Sequence, residues 1–387
     1  MKNKFEDIQN TPANIATNND WQFKTLSNPK HTLRVGTSFS GIGAIEHALN
    51  RLGIKTEIVF AGDIDAHCKE AYFANYNIKE ERWHDDVHDF DATRYKGSID
   101  LFVGGAPCQA FSLRGKHGGF EDTRGTLFRE FARIVIECHP KVFIFENVRG
   151  MLSHDKGHTW KIIKETFEND CDYDIYFQVL NAKDYGIPQS RERLFCIGFK
   201  KETDFKFPAA IPLTKNIHDF LDVKFDKKYF LKQKGANFIT RSLNYQKSYT
   251  QINGDILLCQ KRNQQFNWHG DFIFYPQSKG EDIINDDETL FEIKHFEEQY
   301  YSSKFIDKII RRGNTINVLP AHKTELNFEF GRYRKLTPRE CLRLMGFDDS
   351  FKIVCSDTET YKQAGNSIVV NVLIAILKQL DITKYAE

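Results

Sequence analysis

Leu33-Arg34-Val35-Gly36-Thr37-Ser38-Phe39-Ser40-Gly41-Ile42-Gly43-Ala44 is the stretch that decides the fold. Leu33 to Phe39 reads as a short strand, and Ser40 to Ala44 as a tight glycine turn. The following residues place Ile45, Ala48, Leu49 and Leu52 at helical spacing and stop at Gly53, where a glycine commonly closes a helix. Strand, Gly-x-Gly turn and helix make the first unit of a nucleotide-binding α/β fold. The glycines let backbone approach a ligand, and the helix start offers free N–H groups to an anionic group.

Working outward, Thr56 to Ala61 reads as the second strand and ends at Gly62-Asp63-Ile64-Asp65. Asp65 is the better N-cap for a helix over 66–76, which leaves Asp63 free to accept from a ribose hydroxyl. Asp85-Asp86-Val87-His88-Asp89 is either a solvated acidic loop or a carboxylate placed against an adenine amino group. Asp100 to Val103 is an apolar third strand, followed by Gly104-Gly105-Ala106-Pro107-Cys108-Gln109-Ala110-Phe111-Ser112. In open α/β sheets ligands sit outside the carboxyl ends of strands, so Cys108 is placed to act, although a buried free cysteine is also common. A glycine-rich loop, 118–125, precedes an amphipathic helix over 125–139, in which Cys138 reads as core. Lys141 to Phe145 is a buried strand ending at Glu146-Asn147-Val148. A glutamate directly after buried apolar residues is costly without a partner. A helix over 159–168 and a strand pair, 173–181 and 193–199, follow. Between the strands, Arg191 and Arg193 stand at i, i+2 and share a side of extended chain.

Composition narrows the class. The chain has 387 residues, 41% hydrophobic and 13% aromatic, with a net charge of +1. That is enough for a large core, and no global basic field advertises nucleic acid. The eight cysteines form no CxxC pair, which argues against a zinc ribbon or a disulfide framework and suits a reducing cytosol. A secretory leader or an apolar run of membrane length is not apparent in the sequence. Residues 1–30 are polar and asparagine-rich and read as a flexible arm. Between 203 and 333 periodicity weakens, and Lys261, Arg262, Asn263, Gln264, Arg311 and Arg312 are candidates for contacting phosphates or base edges; 278–298 reads as acidic surface. Order returns with Thr337-Pro338-Arg339-Glu340, a capping box with proline at the first helical position. Gly365-Asn366-Ser367 then leads into an apolar helix, 368–380, which implies a return to the main sheet.

These motifs together resemble those of DNA (cytosine-5)-methyltransferases of the bacterial restriction–modification type, over about 33–372. Phe39-Ser40-Gly41-Ile42-Gly43 is similar to the family's cofactor loop. Gly105 to Gln109 resembles its Pro-Cys motif, Glu146-Asn147-Val148 its Glu-Asn-Val motif, and Gln189-Ser190-Arg191-Glu192-Arg193 its Gln-x-Arg-x-Arg motif. Arg339 to Phe347 and Gly365-Asn366-Ser367 resemble its last two motifs. The resemblance implies a Rossmann-like α/β sheet with helices on both faces, built from 31–202 and completed by 334–387, with a smaller, irregular target-recognition domain over 203–333. It implies S-adenosylmethionine bound by Phe39, Ser40, Gly41, Gly43, Asp63, Ile64, Asp86, Val87, Asn366 and Ser367, and no metal. It implies Cys108 as nucleophile on cytosine C6, Glu146 at N3 and the exocyclic amine, and Arg193 and Arg191 at O2 and nearby backbone. The substrate would be a flipped base in duplex DNA, closed over by the 118–124 loop. A monomeric cytoplasmic enzyme near the nucleoid, paired with a restriction endonuclease, completes the expectation. Three positions depart from the family pattern: Ala44 replaces a frequent glycine, Ile64 a frequent aromatic and Arg114 a common small polar residue. Alternatives are a tRNA methyltransferase on the same scaffold and a non-catalytic DNA-binding regulator. A Rossmann dehydrogenase is disfavoured, because Ala44-Ile45-Glu46 does not supply the fuller glycine pattern.

Overall fold

The computed structural model describes residues 15–28, 31–106, 127–239, 250–263, 269–277, 291–296, 306–312, 315–320 and 326–386. Strands β1 (Leu33–Ser38), β2 (Thr56–Gly62), β3 (Trp83–His84), β4 (Leu101–Gly104), β5 (Val142–Val148), β6 (Asp174–Asn181) and β7 (Glu192–Phe199) form one sheet in the order β3-β2-β1-β4-β5-β7-β6. Neighbours are parallel from β3 to β5, and β7 runs antiparallel to both β5 and β6. The chain order reverses between β1 and β4, whose carboxyl ends lie side by side with Ser38 opposite Gly104. That crevice is where open α/β sheets bind ligands.

The alternation of strand side chains divides the interior in two. Leu101, Val103, Val142, Ile144, Phe195 and Ile197 face a core filled by α1 (Ala44–Arg51), α2 (Ala66–Asn75) and the C-terminal helix spanning Val370–Leu380. Phe102, Phe143, Phe145, Leu194 and Cys196 face the other core, filled by α3 (Leu127–Cys138) and α4 (His158–Glu165). Strands buried on both faces read as continuous apolar runs, which is why β4 and β5 were visible in the sequence. The second core is rich in aromatic pairs, such as Phe102–Phe131 at 4.7 Å and Phe143–Phe167 at 4.6 Å between ring centroids. Such pairs add about 0.5–1.5 kcal/mol each beyond the area they bury. The α4 helix relaxes into a π turn over Thr166–Asp170, which keeps Phe167 buried among those rings.

The middle region departs from the expected irregularity. After α5 (Gln233–Ile239), strands β8 (Thr250–Ile252), β9 (Gly270–Gln277), β10 (Phe291–Phe296), β11 (Ile306–Arg312), β12 (Thr315–Pro320) and β13 (Leu326–Lys335) form a second sheet. Its order is β11-β12-β10-β13-β9-β8. The pairing of β13 with β9 and β10 joins segments far apart in sequence, so local periodicity does not reveal it. Helices α6 (Pro338–Arg343), α7 (Asp357–Asn366) and α8 (Val370–Leu380) complete the chain. Thr337 and Glu340 make the reciprocal capping box expected from their spacing.

The flexible-arm reading also fails over 15–28. Trp21 is buried and its indole donates to the Ala209 carbonyl at 2.9 Å. Ser27 donates through both its amide and its hydroxyl to Asp381, and Lys24 reaches the Gln379 carbonyl. One tryptophan in a polar stretch carries no periodicity, yet burying it stabilises by roughly 2–3 kcal/mol and anchors its neighbours.

Candidate active site

The glycine turn after β1 is held from three sides. Ser40 exchanges hydrogen bonds with Gly62, and its hydroxyl lies 2.7 Å from that of Thr37. Asp63 accepts from the Gly41 amide at 2.9 Å and the Asp65 amide at 3.0 Å. Gly43 sits in the left-handed region at φ 77°, and a Cβ there would fall 2.1 Å from the Tyr76 ring. Ala44, the next residue, is a buried first residue of α1, so its methyl is accommodated. Phe39 adopts φ 55°, a conformation costly for an aromatic residue and most often kept at functional sites. Asp65 caps α2 by accepting from His67 N, which leaves Asp63 facing the cleft.

The second half of the site stands at the ends of β5 and β7. Glu146 is mostly buried, and its carboxylate meets Arg193 Nε at 3.2 Å. Arg193 pairs with Val148 across the ladder, so it is the diagonal neighbour of Glu146 on one face. Burial raises the Glu146 carboxyl above its ordinary range, while Arg193 and then Arg191 pull the other way. Asn147 donates to the Ala106 carbonyl at 2.8 Å, fixing the backbone immediately before Pro107-Cys108. Gly105 leaves room for the carboxylate; a Cβ there would lie 3.0 Å from Glu146 Oε2.

Arg191 does something the sequence did not show. Its Nη1 donates to the Gln260 carbonyl at 2.6 Å, and its Nη2 to the Gly365 and Ser367 carbonyls at 3.0 and 2.8 Å. It is buried and ties β7, the middle region and the last motif together. Gln189 makes a parallel link, donating to Leu344 O and accepting from Gln260 N. Arg191 was expected beside Arg193 at O2 and the nearby backbone; it lines the same cavity, with both terminal nitrogens engaged by backbone carbonyls. Both arginines reach Cys259 Sγ of the loop around Gln260, but Arg191 is the more deeply buried, at 3% exposed against 18% for the Arg193 side chain.

One cavity of about 710 Å³ unites these groups. Phe39, Gly41, Asp63, Ile64, Asp86, Val87, Glu146, Arg191, Arg193, Asn366 and Ser367 all line it. Ser40 lines an adjoining recess, and Gly43 stands behind the turn, its carbonyl accepting from Tyr76 Oη. Asp86 accepts from the His88 amide and ring, which hold its carboxyl below the usual range. His84 was missed by the sequence reading: it stacks on Phe90 at 4.1 Å, lies 3.2 Å from Ser38 Oγ, and burial lowers its imidazole to about 4. It is a neutral wall of the cavity. Arg262 and Asn263 also reach the lining, and the backbone at 261–262 packs against Gly365. Cys108, Arg114, the 118–124 loop and Gln264 lie outside the described residues. Arg311 and Arg312 belong to β11, and their side chains are likewise outside them.

The chain belongs to the C-5 cytosine-specific DNA methylase family. The family profile matches residues 33–381, which spans both halves of the site. The type II methyltransferase M.HpaII of Haemophilus parainfluenzae is 35% identical over 351 residues, covering 88% of this chain and 87% of the relative. M.HhaI of Haemophilus parahaemolyticus, also a type II methyltransferase, is 33% identical over 344 residues, covering 88% and 92%. The orphan methyltransferase M.SPRI of Bacillus phage SPR is 30% identical and covers 90% and 97%. Among solved structures, Dnmt2 methyltransferase of S. pombe superposes with a TM-score of 0.61 at 19% identity, covering 90% of this chain and 98% of that one. That likeness concerns the fold. The protein is a DNA cytosine-5 methyltransferase.

Membership in this family implies S-adenosylmethionine as methyl donor, and the cavity suits it. Ile64 is an exposed apolar residue, 78% accessible, and lines the same cavity as Phe39. Each Asp63 oxygen accepts one amide and keeps a lone pair for a hydroxyl. The start of α1 and the Asn366-Ser367 turn bring polar groups to the far side. These surfaces match an adenine face, a ribose and an amino-acid end.

Proposed function

We propose that the protein methylates C5 of a cytosine flipped out of a specific duplex DNA sequence, through a covalent bond between Cys108 and C6. The observation that carries this reading is the Glu146–Arg193 pair at the strand end, beside the Gly105-Ala106 backbone that leads into Pro107-Cys108. S-adenosylmethionine would be held by Phe39, Ser40, Gly41, Gly43, Asp63, Ile64, Asp86, Val87, Asn366 and Ser367 and supplies an electrophilic methyl on sulfur.

Cytosine C5 is too weak a nucleophile to take that methyl directly. The Cys108 thiolate adds to C6, and the ring electrons move towards N3. Glu146, whose carboxyl burial raises above its ordinary range, donates to N3 and accepts from the exocyclic amine. Arg193 directs its guanidinium to O2. C5, now enamine-like, would take the methyl as the bond from methyl to the donor's sulfur breaks, leaving S-adenosylhomocysteine. Loss of the C5 proton to a base then drives the C5–C6 electrons back, and the Cys108–C6 bond breaks. The reacting carbon is inaccessible in a stacked pair, so the base must leave the helix. The 203–333 region would read the sequence through candidates such as Lys261, Arg262, Asn263 and Gln264, of which Arg262 and Asn263 line the cavity. A monomeric cytoplasmic enzyme acting on the nucleoid, with a partner endonuclease in its host, fits the type II relatives.

Bisulfite sequencing of plasmid from cells expressing the chain tests the reading. Methylated cytosine is expected at one position of one short motif. Cys108→Ala should abolish it, by at least ~10³-fold in transfer of labelled methyl to duplex DNA. Normal methylation by that variant, or label entering tRNA in preference to duplex DNA, overturns the proposal.

A further inference from the structure

Outside the cavity, three side chains with different donor atoms converge where α2 meets the segment before α7. We infer that His67, Glu70 and Cys355 form a site for a divalent cation of the zinc type, which fastens together the two walls of the donor cavity. One nitrogen, one sulfur and one oxygen from these residues all lie within 4.8 Å of one another. His67 Nδ1 is 3.8 Å from Glu70 Oε2, and Cys355 Sγ is 3.7 Å from the same oxygen. In a tetrahedral zinc site, bond lengths of about 2.0–2.3 Å put neighbouring donor atoms roughly 3.3–3.6 Å apart. The two separations from Glu70, 3.8 and 3.7 Å, are a few tenths of an ångström wider, and side-chain rotation would draw His67 and Cys355 together from within 4.8 Å.

The local structure explains the convergence. His67 and Glu70 are three apart in the first turns of α2, so they share a face of the helix. Asp65 caps that helix and fixes where its first turn begins. Cys355 is held against it: its thiol lies 3.4 Å from the His67 carbonyl and 3.4 Å from Gln363 Nε2. Gln363 itself donates to the His67 carbonyl at 2.9 Å. A thiolate, an imidazole and a carboxylate suit zinc, and the sulfur disfavours magnesium or calcium. His67 and Glu70 are exposed, so water can fill the fourth position. Binding would displace the thiol proton to solvent: Cys–SH and M²⁺ give Cys–S–M⁺ and H⁺. Cys355 is 288 residues from His67, so no CxxC or HxxH spacing reveals the set.

The position gives the site a consequence. Asp63 and Ile64 precede Asp65, the N-cap of α2, and α7 ends at Asn366 before Ser367. A cation joining α2 to the α7 segment therefore couples opposite walls of the cavity, through a Gln363 that lines it. The effect on donor binding rests on the cofactor assignment above; cation binding itself does not.

The test uses the full chain, stripped with chelator and then titrated with Co²⁺ as a coloured zinc substitute. One equivalent should produce a thiolate-to-cobalt charge-transfer band, which Zn²⁺ then removes. Zn²⁺ should also raise the melting temperature. Both effects should be lost in Cys355→Ser and in a Glu70→Gln, His67→Ala double variant. The variants should melt with the wild type when metal-free, because the changed groups are near the surface. Absence of the band in the wild type overturns the inference, as does an undiminished band or melting shift in either variant. If Zn²⁺ binds as expected but S-adenosylmethionine affinity is the same with and without it, the coupling between walls is disproved.

Discussion

The two sheets of this molecule are built on different principles. The first is mostly parallel, covered on both faces, and carries Phe39, Asp63, Glu146 and Arg193 at or just beyond its strand ends. The second mixes parallel and antiparallel pairs. Among the described residues its own core is small: Leu231, Ala236, Ile239, Ile252, Phe272, Phe274 and Tyr333, with Phe238 against them. Chemistry that needs fixed geometry sits on the double-covered sheet, where every strand is gripped from two sides. Buried polar groups join the two. Arg191 and Gln189 reach from β7 to the Gln260 loop, and Arg334 of β13 makes a two-pronged pair with Glu340 of α6 at 2.8 and 2.9 Å.

The largest expected effect sharpens the catalytic side. Glu146→Gln should lower kcat by ~10²–10⁴-fold in a labelled-methyl assay, while thermal stability holds or rises, because a buried carboxyl is replaced by a neutral amide. Activity within a few-fold of wild type would remove β5 from the chemistry. The joint comes next. Arg334→Met leaves Glu340 buried without its cation and should cost about 3–5 kcal/mol in urea unfolding. A loss below about 1 kcal/mol would mean that the pair does not hold the sheets together.

The third prediction concerns a carboxyl that no sequence pattern picked out. Glu46, on the first turn of α1, is fully enclosed, accepts from Tyr72 Oη at 2.5 Å and Thr37 Oγ1 at 3.2 Å, and has Oε2 without a partner. Burial pushes its carboxyl up to about 7. The folded state then holds a proton that the unfolded chain has already released above the ordinary carboxylate range. Stability contributed by this group therefore falls as pH rises towards about 7 and is level beyond it. Glu46→Gln should remove that slope and gain up to about 3 kcal/mol over wild type at pH 8, with little difference at pH 4.5. Melting curves at the two pH values check it, and equal wild-type and variant slopes would refute it.

Most of the first sheet was legible because its signals are local. A strand, a glycine turn and an amphipathic helix are contiguous, and Asp65 could be separated from Asp63 by capping logic alone. Glu146 stood out because a carboxylate after a buried run demands a reason. The second sheet was not legible, because its ladders join segments such as Phe272–Gln277 and Phe330–Lys335 that carry no cue to each other. The role of Arg191 was hidden for the same cause: its acceptors lie 69, 174 and 176 residues away. Trp21 was invisible because one apolar side chain makes no pattern.

The C-terminal helix has a consequence for synthesis. Val370, Leu373, Ile376 and Leu377 of α8 fill the core against β1 and α1, among the first ordered elements to leave the ribosome. Arg191 and the donor cavity likewise wait for Gly365 to Ser367. The strand made first is only partly covered, by α1 and α2, until residues some 340 positions later emerge, and such distant contacts slow folding. The nascent protein is thus held inactive by its own topology until translation has passed α8, and truncation before that helix should leave an aggregation-prone chain rather than a weak enzyme.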